Sequence, residues 1–344
     1  MSCIKSVTDD SVEFVEFDIS AERYLDSGRL LSEEEINQIR SMDSVLFGAV
    51  GDPRVRPGIL ERGIIIKLRT ELDLFMNLRP SWSLPFSSTK FNIAVARENT
   101  EEFYIGFGGK LEKSPTTFSY SSQAWKGNVK ISGDTDDDVY FNVGMMSRRN
   151  TERYFAMVCD LADERDVKEV TVVDKANAVP GIYDIWRETG KRILGKRGIG
   201  PSFMYGDAVA YGLVMKPDRF NLIAASNLYG DILSDLCSGL MGGLGFTPSG
   251  NYGSGRIALF EPVHGSAPDI AGKGVANPIG TILSSSMMLK HLGMKKESRI
   301  IREAVDLTIS EGIRTFDIGG SDGTSKVTQA IMKNIERKII ANDV

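Results

Sequence analysis

Histidine and cysteine are scarce. The 344 residues hold two histidines, His264 and His291, and three cysteines, Cys3, Cys159 and Cys237. Two histidines leave almost no material for a Ser-His-Asp triad or a multi-histidine zinc centre. Three cysteines without CxxC spacing indicate neither a disulfide framework nor a thiolate metal site, and Cys159, inside a helix-like run, is expected in the core. Positive charge is not in excess: 41 Lys and Arg face 46 Asp and Glu, a net charge of −5, which argues against a nucleic-acid backbone as the main partner. No run reaches the ~18 apolar residues of a membrane span, and the first residues show no apolar signal segment, so no membrane association and a cytoplasmic location are expected. No GxGxxG joins a strand to a helix, and Gly106-Phe-Gly-Gly109 does not fit that pattern, so the usual Rossmann dinucleotide fold is disfavoured. Internal repeats and low-complexity tracts are absent.

What is present is enough chain, 42% hydrophobic and 25% charged, to bury a large core in two domains. Val12 to Phe17 (VEFVEF) alternates like a strand, Ser32 to Ile39 reads as a helix, and Ser44 to Val50 reads as a buried strand closed by Gly51-Asp-Pro53. The rhythm recurs with strands at Asn92 to Ala96, Val167 to Val173 and Phe220 to Ala225, and helices at Thr151 to Glu164 and Tyr183 to Lys191. Further helices fall at Pro278 to Leu292 and Glu297 to Ile309. Such alternation implies an α/β fold with a largely parallel sheet flanked by helices. Lys113 to Asp138, rich in Ser, Thr, Gly and Asp, reads as a β arm, because Phe118, Tyr120 and Trp125 give it something to bury.

The chemistry concentrates in a few strings. Asn227 to Asp235 (NLYGDILSD) sets Asp231 and Asp235 four positions apart, on one face of a helix. Two carboxylates held together are either a solvated acidic face or a site for a hard cation. The apolar flanks Ile232, Leu233 and Leu236 favour the cation, and all-oxygen ligands suit Mg²⁺ or Mn²⁺. Arg69 and Arg79 lie near the ends of LRTELDLFMNLRP, and Arg97 follows the strand NIAVA. Guanidinium forks match carboxylates, and Arg97 stands at the carboxyl end of a strand, the edge where open α/β sheets bind ligands. Lys175, in Asp174-Lys-Ala-Asn177 after another strand, is either a loop lysine or a proton acceptor whose ammonium form is disfavoured by neighbouring cations. Tyr104 alone reads as a packed aromatic. Phe260 to Gly272, punctuated by Gly and Pro and carrying His264 and Asp269, reads as a ligand loop.

Taken together, GAVGDP (48–53), ILERGIIIKLR (59–69), NLRP (77–80), ARENTEEFYIG (96–106), DKAN (174–177), NLYGDILSD (227–235) and EPVHGSAPDIAGKGVANP (261–278) make the chain resemble the β-decarboxylating dehydrogenases. These act on 3-isopropylmalate, isocitrate, homoisocitrate, tartrate or D-malate. The resemblance covers roughly residues 12 to 335. It implies a two-domain fold: 1–74 and 242–344 as a discontinuous cofactor-binding domain, and 75–241 as a substrate, metal and dimerisation domain with the β arm at about 113–138. It implies Asp207, Asp231 and Asp235 as metal carboxylates, with Asp207 supplied across a homodimer interface. Arg69, Arg79, Arg97 and Asp207 would bind the acid, a 2-hydroxy dicarboxylate. Lys175 and Tyr104 would handle protons while hydride passes to NAD and CO₂ leaves. His264, Gly265, Ser266, Ala267, Asp269 and Asn277 would line the cofactor site. A carboxylate at Asp269 accepts bonds from free ribose hydroxyls and repels a 2′-phosphate, which favours NAD over NADP. Glu61, Ile65 and Ile66 would meet the γ-substituent, and aliphatic side chains suit an isopropyl group better than a third carboxylate. A tartrate, malate or homoisocitrate substrate stays open at this level, because such pockets discriminate by only about 1–3 kcal/mol. An inactive regulatory subunit of the same fold would be expected to have lost some of these residues. Members open with a strand, a GDGIGPE turn and a helix; Met1 to Val7 reads as the tail of that helix, so an N-terminal strand and most of a helix are expected to be missing.

Overall fold

The computed structural model describes residues 1–8, 11–121 and 125–342. It divides into two compact units: Met1–Leu74, Leu78–Asn92 and Asp235–Val344 form the first, Phe75–Asn77 and Ile93–Ser234 the second. The fold is α/β, with mostly parallel strands flanked by helices.

In the second unit four strands run parallel in the spatial order Asn92–Glu98, Leu222–Ala225, Glu169–Asp174, Gly200–Tyr205. Residues 93–96, 170, 172, 173 and 222–225 are all buried. Strands covered on both faces need such unbroken apolar runs rather than alternation. The helices Arg148–Glu164 and Ile182–Lys196 pack together over a knot of Tyr154, Phe155 and Trp186, with ring centroids 4.7–5.2 Å apart. Parallel strands end on the same side, so Arg97, Lys175, Asp207 and Asn227 are delivered to one edge of the sheet.

In the first unit Val45–Leu46 pairs in parallel with Leu259–Pro262, which pairs antiparallel with Pro248–Tyr252. The helix Lys295–Ser310 shows why it docks here: Ile300, Ile301, Ala304, Val305, Thr308 and Ile309 form a buried stripe at i, i+4 spacing. Ser32 starts the helix Glu33–Arg40 with a reciprocal capping box involving Glu35.

Three expectations are corrected. Val12 to Phe17 forms no strand. It lines, together with the edge strand Val45–Leu46, a cavity of about 960 Å³, and it pairs with no strand among the described residues. The strand expected over Ser44 to Val50 shrinks to two residues, Val45–Leu46, which pair only with Leu259 and Phe260. Residues 78–92 and 235–241, expected in the second domain, group with the first unit. There Trp82 meets Phe246 edge to face at 6.4 Å and Arg79 pairs with Asp235. The β arm contains an antiparallel hairpin, Thr116–Ser121 with Lys126–Ile131. Its aromatics are half-buried and pack in pairs: Tyr120 lies 4.5 Å from Trp125 and Phe118 lies 5.3 Å from Phe141, centroid to centroid. Residues 122–124 of the arm lie outside the described residues.

Candidate active site

Within the second unit, Arg97 is 3% exposed and fully engaged. Its Nε and Nη2 donate to Asn227 Oδ1 at 3.0 and 2.8 Å, and its Nη1 donates to Asp231 Oδ1. The close approach needs Gly230: a Cβ there would sit 2.5 Å from Arg97 Cγ. Tyr104 stacks over the same guanidinium at 5.1 Å and donates its hydroxyl to Asp231 Oδ2 at 2.9 Å. Burial and then the Asp231 charge raise the Tyr104 phenol above its ordinary value, so it holds its proton. A packed aromatic by sequence alone, Tyr104 is instead an exposed-edge phenol bound to a carboxylate.

Lys175 departs from expectation. Its ammonium donates to Asp207 Oδ1 of the same chain at 2.6 Å, and that bond raises the lysine and lowers the aspartate from their ordinary values. The charged form is favoured, because the nearest partner is an anion rather than a cation. Among the described residues no group of three or more His, Cys, Asp and Glu side chains stands close enough to hold a metal ion. Within one chain, therefore, Asp207 does not complete a set with Asp231 and Asp235. Those two sit four residues apart on the helix Asn227–Met241, with side chains 35% and 51% exposed. They offer accessible hard oxygens of the kind Mg²⁺ or Mn²⁺ takes.

The first unit supplies a pocket of about 140 Å³ lined by Glu61, Ile65, Arg69, Arg79, Glu261, His264 and Gly265, among others. It gathers residues from four separate motifs. Glu61 to Ile66 is a π-helical turn leading into the helix Lys67–Glu71; such turns insert one residue and re-aim the side chains around them. Ile64 and Leu68 point into the core, Ile65 faces the pocket, and Ile66 is 38% exposed and outside the pocket. Arg69 Nη2 donates to Glu261 Oε1 at 2.9 Å, and Asn251 Nδ2 donates to the same oxygen at 2.9 Å. Arg79 Nη1 lies 3.0 Å from Asp235 Oδ1. Two buried polar atoms here have no partner, Arg69 Nε and His264 Nε2, and buried polar atoms without partners are rare unless a ligand completes them. Gly265, Ala267 and Asp269 are exposed on the loop beyond. Ala267 takes a φ of 45°. Asn277 is 8% exposed and occupied by the protein itself, donating to Asp317 Oδ2 and accepting from Ile279 N, both at 3.0 Å.

Sequence reasoning missed Asn227 and Glu261, which orient Arg97 and Arg69, and Glu101 and Glu102. Asn227 opens NLYGDILSD and Glu261 opens EPVHG, so their positions beside strand ends were the available signal. Glu101, 1% exposed, accepts Ser147 N at 2.7 Å, Ser147 Oγ at 2.6 Å and Trp125 Nε1 at 3.2 Å. Burial and the nearby Glu98 push its carboxyl up to about 7 from an ordinary 4.5. The folded chain thus keeps a proton that the unfolded chain releases, and stability falls as pH rises through that window. Glu101→Gln carries no such charge, so its Tm relative to the parent should rise between about pH 5 and about pH 8 in calorimetry at fixed ionic strength. A constant difference would contradict a buried ionisation at Glu101.

The isocitrate/isopropylmalate dehydrogenase family model matches residues 1–333. In sequence the chain is 37% identical over 326 residues to a 3-isopropylmalate dehydrogenase of Bifidobacterium longum, covering 90% of this chain and 88% of that protein. It is 34% identical over 337 residues to a probable tartrate dehydrogenase/decarboxylase of Bacillus subtilis, covering 95% and 89%. In structure it matches an isocitrate dehydrogenase from Methylococcus capsulatus with a TM-score of 0.82 at 31% identity, over 97% of this chain and 94% of that one.

Proposed function

The chain belongs to the isocitrate/isopropylmalate dehydrogenase family, and on that premise we propose that it converts (2R,3S)-3-isopropylmalate and NAD⁺ to 4-methyl-2-oxopentanoate, CO₂ and NADH. It would serve leucine biosynthesis as a cytoplasmic homodimer. The observation that carries this reading is the first-unit pocket. It sets the aliphatic Ile65 beside two arginines and next to His264 and Gly265, with Arg69 Nε and His264 Nε2 lacking protein partners. A small acid with an apolar branch and two carboxylates meets both the apolar wall and the guanidinium donors.

Each side chain then has a task. Arg69 and Arg79, steadied by Glu261 and Asp235, take up carboxylate oxygens; Arg97, steadied by Asn227, is a further guanidinium suited to a carboxylate. Lys175 would accept the C2 hydroxyl proton as the neutral amine, so its bond to Asp207 must first loosen and its ammonium proton pass to solvent. Tyr104, protonated as it stands, returns a proton to carbon after CO₂ leaves. Asp231 and Asp235, with Asp207 from a second copy, would hold Mg²⁺ or Mn²⁺, which when bound supplies Lewis-acid polarisation of the hydroxyl and adjacent carboxylate. His264 Nε2 and the exposed Asp269 fit the adenosine end of NAD, the first as a partnerless polar atom and the second as an acceptor for ribose hydroxyls. Gly265, Ser266, Ala267 and Asn277 complete that surface. A second copy is supported by the helix Gly206–Met215, which carries Asp207 in its first turn and exposes Tyr211, Val214 and Met215 by 59–69%. An apolar patch of that kind next to an incomplete site calls for a partner.

Tartrate is the second reading, favoured by Glu61. Its carboxylate lines the same pocket, where it could accept a bond from a C3 hydroxyl. Initial rates of NADH formation with purified protein, Mg²⁺ and either 3-isopropylmalate, tartrate, D-malate, isocitrate or homoisocitrate decide between them. The expected kcat/KM for 3-isopropylmalate exceeds the others by about 10-fold or more, the worth of an apolar branch in a fitted pocket. A preference for tartrate would transfer the assignment to the second reading.

A further inference from the structure

We propose that Glu102 is a positioning residue: its buried carboxylate ties the turn carrying Tyr104 to the first turn of the helix carrying Asp231, and so sets the approach of the Tyr104 hydroxyl. The inference rests on the reaction proposed above for its kinetic consequence, but not for the tie itself.

Glu102 is fully buried, although nothing in the assigned chemistry uses it. Its Oε2 accepts Leu228 N, at the start of the helix Asn227–Met241, at 2.6 Å. Its Oε1 accepts Ser226 Oγ at 3.0 Å and the Tyr183 hydroxyl. Beside it, Asn227 Nδ2 donates to Glu101 O at 3.1 Å. Two residues further on, Tyr104 reaches Asp231 Oδ2 at 2.9 Å. The short segment from Glu101 to Tyr104 is therefore fastened to one helix at its amino end and again one turn along. The backbone shows that the fastening is held against resistance. Glu102 adopts φ 65° and ψ −133°, a region comfortable for glycine and strained for any residue with a Cβ. It is pinned there by paired backbone bonds with Met145, at 2.8 and 3.2 Å, as well as by its carboxylate. A carboxylate placed merely to satisfy a helix end would not need a strained backbone two residues from a proton donor.

Three variants separate the roles. Glu102→Gly relaxes the backbone and removes the tie. Glu102→Gln keeps the tie, because Leu228 N can still be accepted by the amide oxygen while the Ser226 and Tyr183 hydroxyls turn round to accept from the amide nitrogen. Tyr183→Phe removes one of the three bonds without touching charge, and stands in if Glu102→Gly does not fold. Positioning predicts a kcat about 10- to 100-fold lower for Glu102→Gly, a KM for the acid changed less than about threefold, and a kcat for Glu102→Gln within about threefold of the parent. Hydrogen exchange at amides 102–106 and 227–231 should quicken in Glu102→Gly and stay protected in Glu102→Gln. Equal kcat in Glu102→Gly and the parent, or equal losses in the Gly and Gln variants, would overturn the proposal. If the parent turns over none of the acids, the function assigned above fails instead, and exchange alone decides: quickened amides in Glu102→Gly support the tie, unchanged ones refute it.

Discussion

Replacing Asp231 with asparagine lowers kcat/KM by about 10³-fold or more and lowers Tm as well. The catalytic loss has two sources. Asp231 is one of two aspartates four residues apart on the Asn227–Met241 helix. It is also the acceptor that holds Tyr104 at 2.9 Å and the anion that meets Arg97 Nη1. Losing a preorganised charge at a reacting centre costs about 10²–10³-fold on its own, and displacing the proton donor adds to it. The stability loss comes from Arg97. Its side chain is 4% exposed, while Asp231 is 35% exposed. Removing one member of a buried pair strands the other charge, at a cost of about 3–5 kcal/mol; the partial exposure of Asp231 favours the low end. Asn227 remains as a neutral acceptor for Arg97. A Tm lower by roughly 5 °C follows in calorimetry. Unchanged Tm with lost activity would mean that Arg97 finds another anion in solution.

Lys175→Met gives the opposite profile: kcat falls by about 10²–10⁴-fold, the usual worth of a positioned acid or base, and Tm hardly moves. Lys175 and Asp207 are 25% and 71% exposed at their side chains, and exposed pairs contribute little to stability. The methionine retains the apolar stem without the amine. Stopped-flow measurement of the first turnover locates the defect: NADH formation itself should slow, because proton removal from the C2 hydroxyl accompanies hydride transfer. A defect confined to product release would contradict the role given to Lys175.

The sheet was legible because its second-unit strands are buried on both faces and so read as unbroken apolar runs, as at Ile93 to Ala96 and Val170 to Val173. Alternation at VEFVEF misled, since alternation promises a half-buried strand only where a neighbour offers its backbone, and here no described strand pairs with it. The placement of Arg97 and Lys175 at strand ends, and of Asp231 and Asp235 on the Asn227–Met241 helix, was legible from spacing. The charge state of Lys175 was not: it depends on Asp207, thirty-two positions away in sequence. Nor were the residues that aim the arginines visible, because Asn227 and Glu261 act through contacts with chain 130 and 192 positions distant. Ile66 could not be told from Ile65, because a π-helical turn breaks the 3.6-residue spacing on which such distinctions rest.

The proposed reaction couples oxidation to loss of CO₂ at a metal-dependent site. Its most direct test is the ratio of CO₂ released to NADH formed when 3-isopropylmalate and NAD⁺ are supplied, with Mg²⁺ and again with EDTA. One CO₂ for each NADH with the metal, and neither product with the chelator, is the predicted result. NADH without CO₂, or equal rates in EDTA, would contradict it.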